Sequence, residues 1–234
     1  MRCAVVSVSR EGAELGQSVR DALGGEITCY ERKGAESGGE ARLFQRTFAL
    51  TEEIFSRYDG ILYIMAAGIA VRAVAPHIVS KASDPAVLVM DECGKHCISL
   101  LSGHLGGANA WAREVAAAVG ADPVITTATD VHGYRAPDDV ARELHMRVEP
   151  LGALKPVNSA IAEGKSFLWL VDTEFPGAEA IFSRLRALGL EAEPYREDAH
   201  CGAAAVISER NLTLGAPHVH LRPRNLFVGM GCKR

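Results

Sequence analysis

"LFQRTFALTEEIFSRYDGILYIM", Leu43–Met65, sets the fold class. Leu43, Phe44, Phe48, Leu50, Ile54, Phe55 and Tyr58 recur at three- and four-residue steps, which predicts an amphipathic helix. The compact run "DGILYIM" that follows predicts a buried strand. Working back, "CAVVSVS" at Cys3–Ser9 reads as a first strand. Leu15, Val19 and Leu23 then mark a helix, and "EITCY" reads as a second strand. Residues 34–40, "GAESGGE", form a polar loop. Alternation of this kind predicts an α/β fold: a three-layer α/β/α domain with a mostly parallel sheet.

Working forward, Ala86–Met90 and Cys97–Leu101 flank "DECGK", whose Gly94 suggests a hairpin. An alanine-rich helix, "NAWAREVAAAVG", closes at Gly120. "DPVITTATD" is a short strand ending in hydroxyls and an aspartate. From about residue 131 a second, smaller α/β domain is expected. Its helices lie near Lys155–Glu163 and Ala178–Leu188, and its strands at "SFLWLVD" and "AAAVIS". The expected domains are 1–135 and 136–222. Residues 223–234, "PRNLFVGMGCKR", read as the start of a truncated further module.

A formal net charge of -4 argues against a chain-wide basic footprint for nucleic acid. No run of about 18 apolar residues predicts a membrane span, and the polar start does not resemble a secretory signal. Of the six cysteines, Cys93 and Cys97 bracket His96, but no second ligand cluster completes a zinc site. Reduced thiols, a cytoplasmic location and no structural metal are the expectation.

Chemistry concentrates in "LLSGHLGGANAWA", Leu100–Ala112, where an apolar strand meets a helix through glycines. Ligands in α/β folds gather at the carboxyl ends of strands, and helix N-termini attract anions. Ser102, Gly103, Gly106, Gly107 and Asn109 are therefore candidate ligand contacts, with Asn109 either capping the helix or touching the ligand. His104 is either a catalytic residue or a buried hydrogen-bonding one. The string matches neither the dinucleotide nor the P-loop pattern, so a nucleotide or phosphosugar is a weak alternative. Gly68, Arg72 and Lys81 follow another strand, and Thr126, Thr127 and Asp130 a third. Arg72 and Lys81 suit carboxylates or phosphates, or are plain surface cations. Asp91, at the end of the first hairpin arm, is a second candidate catalytic residue or simple turn punctuation.

Five motifs occur in order: "GIAVR" with a following proline, "KASDPAV", "DECG", "SLLSGHLGGAN" and "PVITTATD". Together they resemble the amino-terminal region of the CbiG family of anaerobic cobalamin biosynthesis. "LFVGMGCKR" resembles the first strand of that family's carboxy-terminal module. The resemblance implies a cobalt-precorrin-5A hydrolase, which opens a δ-lactone and releases acetaldehyde to give cobalt-precorrin-5B. It also implies a cobalt-tetrapyrrole substrate that brings its own metal, no further cofactor, and other cobalamin-pathway enzymes as possible partners. A corrinoid-binding module without turnover is the alternative. Under this reading His104 is a base or an axial cobalt ligand. The Gly106–Asn109 amides would hold the oxyanion. Ser102 is the less favoured nucleophile, because no nucleophile elbow surrounds it.

Overall fold

The computed structural model describes residues 1–223 and divides into two compact units, Met1–Thr127 and the chain from Ala128 onward. The sequence predicts a junction at 135/136, and the module expected at 223–234 lies, Pro223 apart, outside the described residues.

The first unit contains β1 (Cys3–Ser7), α1 (Arg10–Leu23), β2 (Ile27–Arg32), β3 (Arg42–Phe44) and α2 (Thr47–Ile54). It continues with β4 (Gly60–Ile64), α3 (Ala67–Val74), β5 (Ala86–Met90), β6 (His96–Leu101), α4 (Ala108–Val119) and β7 (Asp122–Val124). The sheet order is β3-β2-β1-β4-β5-β6-β7. The first five strands in that order are parallel. β6 pairs antiparallel with β5, and β7 runs parallel to β6.

Side-chain alternation along these strands builds two cores. Val5, Leu62, Leu88 and Met90 pack with Val19 of α1 and Trp111 and Val115 of α4. On the other face Val6, Ile61, Tyr63, Val87 and Val89 pack with Leu50 and Ile54 of α2 and Ala70 and Val74 of α3. Every residue of β1, β4 and β5 is buried, as apolar runs in a helix-covered parallel sheet require. The hairpin at Gly94 and the helix closed by Gly120 stand where the sequence put them.

One expectation needs correction. Leu43 and Phe44 do not begin the helix; they form the edge strand β3, with Phe44 buried and Leu43 half exposed. Phe44 lies four residues before Phe48, so a strand residue imitates the helical period. Here pairing with β2 outweighs the local pattern.

The second unit holds α5 (Ala128–Val131), α6 (Pro137–Glu143), β8 (Arg147–Glu149), α7 (Leu154–Ala162) and β9 (Phe167–Val171). α8 (Ala178–Ala187), β10 (Ala192–Pro194), β11 (Ala203–Ile207) and β12 (His218–Arg222) complete it. Its order is β10-β9-β11-β12-β8, parallel except for β8. Leu168, Leu170, Ala204 and Val206 are packed by loop residues, among them Tyr195, Cys201, Leu212 and Leu214.

Candidate functional site

The reversal of β6 decides where the expected site residues fall. Leu101, the last residue of β6, stands beside Val87, near the start of β5. The loop Ser102–Gly107 therefore leaves the sheet on the rim opposite the carboxyl ends of the five parallel strands. β7 runs with β6, so Thr126 and Thr127 follow on this same rim.

Main-chain hydrogen bonds close the loop upon itself. Gly107 N donates to His104 O (2.9 Å), Ala108 N to Ser102 O (3.1 Å) and Asn109 N to Gly103 O (3.0 Å). Ser102 adopts φ 61° and Gly107, at the helix N-cap position, φ 84°. A Cβ on Gly106 would come 2.4 Å from the Ser102 Cβ, which explains the glycine there. The oxyanion grip expected of the Gly106–Asn109 amides is thus largely spent, because three of those N–H groups already donate to loop carbonyls.

Asn109 does not cap α4. Buried at its start, it accepts from Ser99 Oγ (2.7 Å) and donates Nδ2 to Thr127 Oγ1 (2.9 Å). It thereby ties β6, α4 and the segment after β7 together. Ser102 is buried and its hydroxyl donates to the Asp84 carbonyl (3.1 Å). His104 is half-buried in the middle of this loop.

Asp84 was absent from the expected set. Its buried carboxylate accepts from Val79 N (3.0 Å) and Ser80 N (3.0 Å), folding the turn that carries the exposed Lys81. The signal was present as "DP" inside the "KASDPAV" motif, since Asp-Pro favours turns. Lys81 and the His104 loop are thus joined through one residue.

Asp91 belongs elsewhere. Its carboxylate accepts from His96 N (2.8 Å), Lys95 N (3.1 Å) and Cys93 N (3.1 Å). Burial pushes its pKa up, but these N–H bonds outweigh that and hold it below the ordinary carboxylate range. It follows β5 at the carboxyl rim, about a strand length or roughly 15 Å from the His104 loop. Asp91 is a turn organiser, and it shares no centre with His104.

On that rim Ser9 Oγ accepts from Gly12 N and donates to Glu92 Oε2 (2.6 Å). Gly68 opens α3 here, and Arg72 folds back to donate to its carbonyl (2.9 Å). The structure therefore divides the expected residues. Ser102, Gly103, His104, Gly106, Gly107, Asn109, Thr126, Thr127 and Lys81 gather on one rim, whereas Gly68, Arg72 and Asp91 do not join them. Asp130 falls in α5 of the second unit.

The second unit contains a charge network the sequence reading passed over. Buried Asp172, after β9, accepts from Ser208 Oγ (2.7 Å) and from Arg210 Nε (2.9 Å) and Nη2 (2.8 Å). Burial raises the Asp172 pKa, and the bonds from Arg210 and Ser208 outweigh it and bring it below the usual range. Arg210 also pairs with Glu174. Buried Arg222 pairs with Glu149 (3.3 Å) and donates to the Ser208 carbonyl (2.9 Å). These groups satisfy one another and pin the strand ends of β9, β11 and β12.

Among the described residues no group of three or more His, Cys, Asp or Glu side chains could hold a metal ion, and no helix is long and apolar enough to cross a membrane. Cys3 and Cys97 are buried, and burial pushes their thiols up to about 11 and about 12, so both stay protonated.

Residues 49–130 match the family model "Cobalamin synthesis G N-terminal", and residues 135–223 match "Cobalamin biosynthesis central region". A cobalt-precorrin-5A hydrolase from Salmonella typhimurium is 40% identical over 215 residues, covering 89% of this chain and 60% of that protein. One from Priestia megaterium is 32% identical over 250 residues, covering 99% and 65%. The chain thus spans about 60% of the length of these curated relatives. The solved structure of a cobalamin biosynthesis protein G homolog from Sulfolobus solfataricus superposes with a TM-score of 0.53 at 20% identity. It covers 95% of this chain and 60% of that one, a likeness of fold alone.

Proposed function

The chain belongs to the CbiG family, whose N-terminal and central regions it carries, and from that premise we propose that it acts in the hydrolysis of cobalt-precorrin-5A. One water is consumed: it adds to the δ-lactone carbonyl and the ring C–O bond breaks. The freed two-carbon unit leaves as acetaldehyde, and the electron pair of its carbon–carbon bond stays on the macrocycle. The product is cobalt-precorrin-5B, and the cobalt is substrate throughout.

The observation that carries this reading is the match of two consecutive family regions, in order, over residues 49–223. The His104 loop lies inside the first of them. His104 takes the proton of the attacking water, since imidazole is the side chain suited to that transfer near neutral pH. A Ser102 nucleophile is disfavoured, because its hydroxyl is spent on the Asp84 carbonyl. With the Gly107, Ala108 and Asn109 amides engaged inside the loop, Lys81 and the exposed Thr126 are donors on this rim suited to carboxylates and developing negative charge.

Trapping of acetaldehyde during incubation with cobalt-precorrin-5A tests the reading. Release by the wild-type chain, lost in His104→Ala, is the expected result; unchanged release in that variant removes His104 as the base. A second reading rests on coverage. The chain spans about 60% of its relatives' length, and a corrinoid-binding part of a larger hydrolase would bind the tetrapyrrole without turnover until the remaining portion of such a relative is supplied.

A further inference from the structure

Between Asp59 and Asp84 the chain carries no acidic residue, although Asp and Glu together number 29 of its 234 residues. The same interval holds Arg72 and Lys81. It also holds four exposed apolar side chains, Ile69, Val71, Ile78 and Val79. Val79 is the extreme case at 83% exposed, and Ile78 beside it is 47% exposed. Single exposed apolar residues are ordinary. Two adjacent ones, two residues from an exposed lysine and held by a buried carboxylate, are a built feature.

Asp84 does the holding. Its carboxylate takes the N–H groups of Val79 and Ser80, and Asp84 N donates back to Ser80 O (2.8 Å). The turn is fixed with Ile78 and Val79 outward, and its one acidic side chain is buried and accepts from the Val79 and Ser80 N–H groups. The carbonyl of the same residue receives the Ser102 hydroxyl. The apolar pair and the His104 loop are therefore two outgrowths of one hydrogen-bonded assembly.

Resting on the hydrolase reading, we infer that Ile78 and Val79 form an apolar shelf on which one face of the tetrapyrrole lies, while Lys81 meets carboxylates at the macrocycle's edge. The complementarity is chemical. A corrinoid acid is a flat apolar disc rimmed with carboxylates, and the shelf offers apolar contact, a cation and no exposed acid in its own segment. The macrocycle so placed lies beside the loop that carries His104.

Titration of the 234-residue chain with diaquocobyrinic acid, a cobalt corrinoid bearing seven carboxylates and exchangeable axial waters, followed by visible absorption, tests the shelf. Val79→Glu and Ile78→Glu should each weaken binding at least tenfold, Val79→Ser several-fold, and Val79→Ile less than twofold. The exposure of Val79 makes its variants safe for folding, which thermal melting verifies. If the wild-type chain binds and Val79→Glu binds equally well, the shelf is wrong while the hydrolase reading stands on acetaldehyde release. If the wild-type chain does not bind, the shelf falls, while the hydrolase reading is judged separately by acetaldehyde release from cobalt-precorrin-5A. Should Val79→Glu turn a dimer into a monomer in sedimentation with corrinoid affinity unchanged, the surface belongs to a second copy and the proposal is overturned.

Discussion

Strand β6 is entered through one glycine-bearing turn and left through another, and the two are held in opposite ways. In the turn before it, the Asp91 side chain collects the N–H groups of Cys93, Lys95 and His96. In the loop after it, the carbonyls of Ser102, Gly103 and His104 collect the N–H groups of Ala108, Asn109 and Gly107. A carboxylate saturated by main-chain donors is consumed by folding and has little left for a ligand. Where the main chain closes itself, the shape of the loop is set by N–H and carbonyl groups instead of by one carboxylate. The difference separates two residues that both stand as catalytic candidates by their places at strand ends.

The sharpest way to break this contrast is to remove each side chain in turn. His104→Ala should lower acetaldehyde release by about 10²–10⁴-fold, the usual contribution of a proton-transfer group. Asp91→Ala should change release per folded molecule by less than about threefold, and equal losses would erase the distinction. Next come the two glycines. Gly106→Ala must displace the Ser102 main chain, whose oxygen would lie 2.8 Å from the new Cβ. Urea melts should show a loss of about 2–3 kcal/mol. Gly94→Ala meets only the Leu15 side chain at 3.3 Å and suffers mainly from φ +67°, a cost of about 1 kcal/mol.

Asn109→Ala leaves the half-buried hydroxyls of Ser99 and Thr127 without this partner and should cost about 1–3 kcal/mol. Asp91→Asn costs a similar amount, about 1 kcal/mol at neutral pH, and its pH dependence carries the information. Because the folded pKa is lowered, the wild-type advantage is complete above the unfolded carboxylate value near 4. It drains away as pH falls through the folded value. Urea midpoints of the two proteins should therefore converge in acid, and a gap that persists at low pH would rule out the ionised carboxylate as its source.

Much of this was legible in sequence where one element carries its own signal. The hairpin announced itself through two apolar runs around Gly94, and α4 through its alanines and Gly120. The strand–glycine–helix junction around His104 was visible for the same reason. Three-residue strands such as β3, β8 and β10 are too short to show a period, and Phe44 even lent itself to the wrong one. The role of Asn109 depends on Ser99 and Thr127, 10 and 18 residues away in sequence, distances no local pattern encodes. The grouping of site residues turned on strand direction: once β6 runs against β5, its carboxyl end and theirs lie on opposite rims.

The short strands have a further consequence. Among the described residues each sheet is bounded by three-residue strands, β3 and β7 in one, β10 and β8 in the other. Pro123 sits within β7, Pro194 closes β10, and Pro150 follows β8, so three of the four borders carry a residue without an N–H to offer. Arg42, Asp122, Arg147, Glu149 and Glu193 add charge along those borders. A stray extended peptide finds at most a few main-chain groups to zip onto. Short, proline-bearing and charged borders of this kind disfavour sideways growth of two sheets built from strongly apolar central strands.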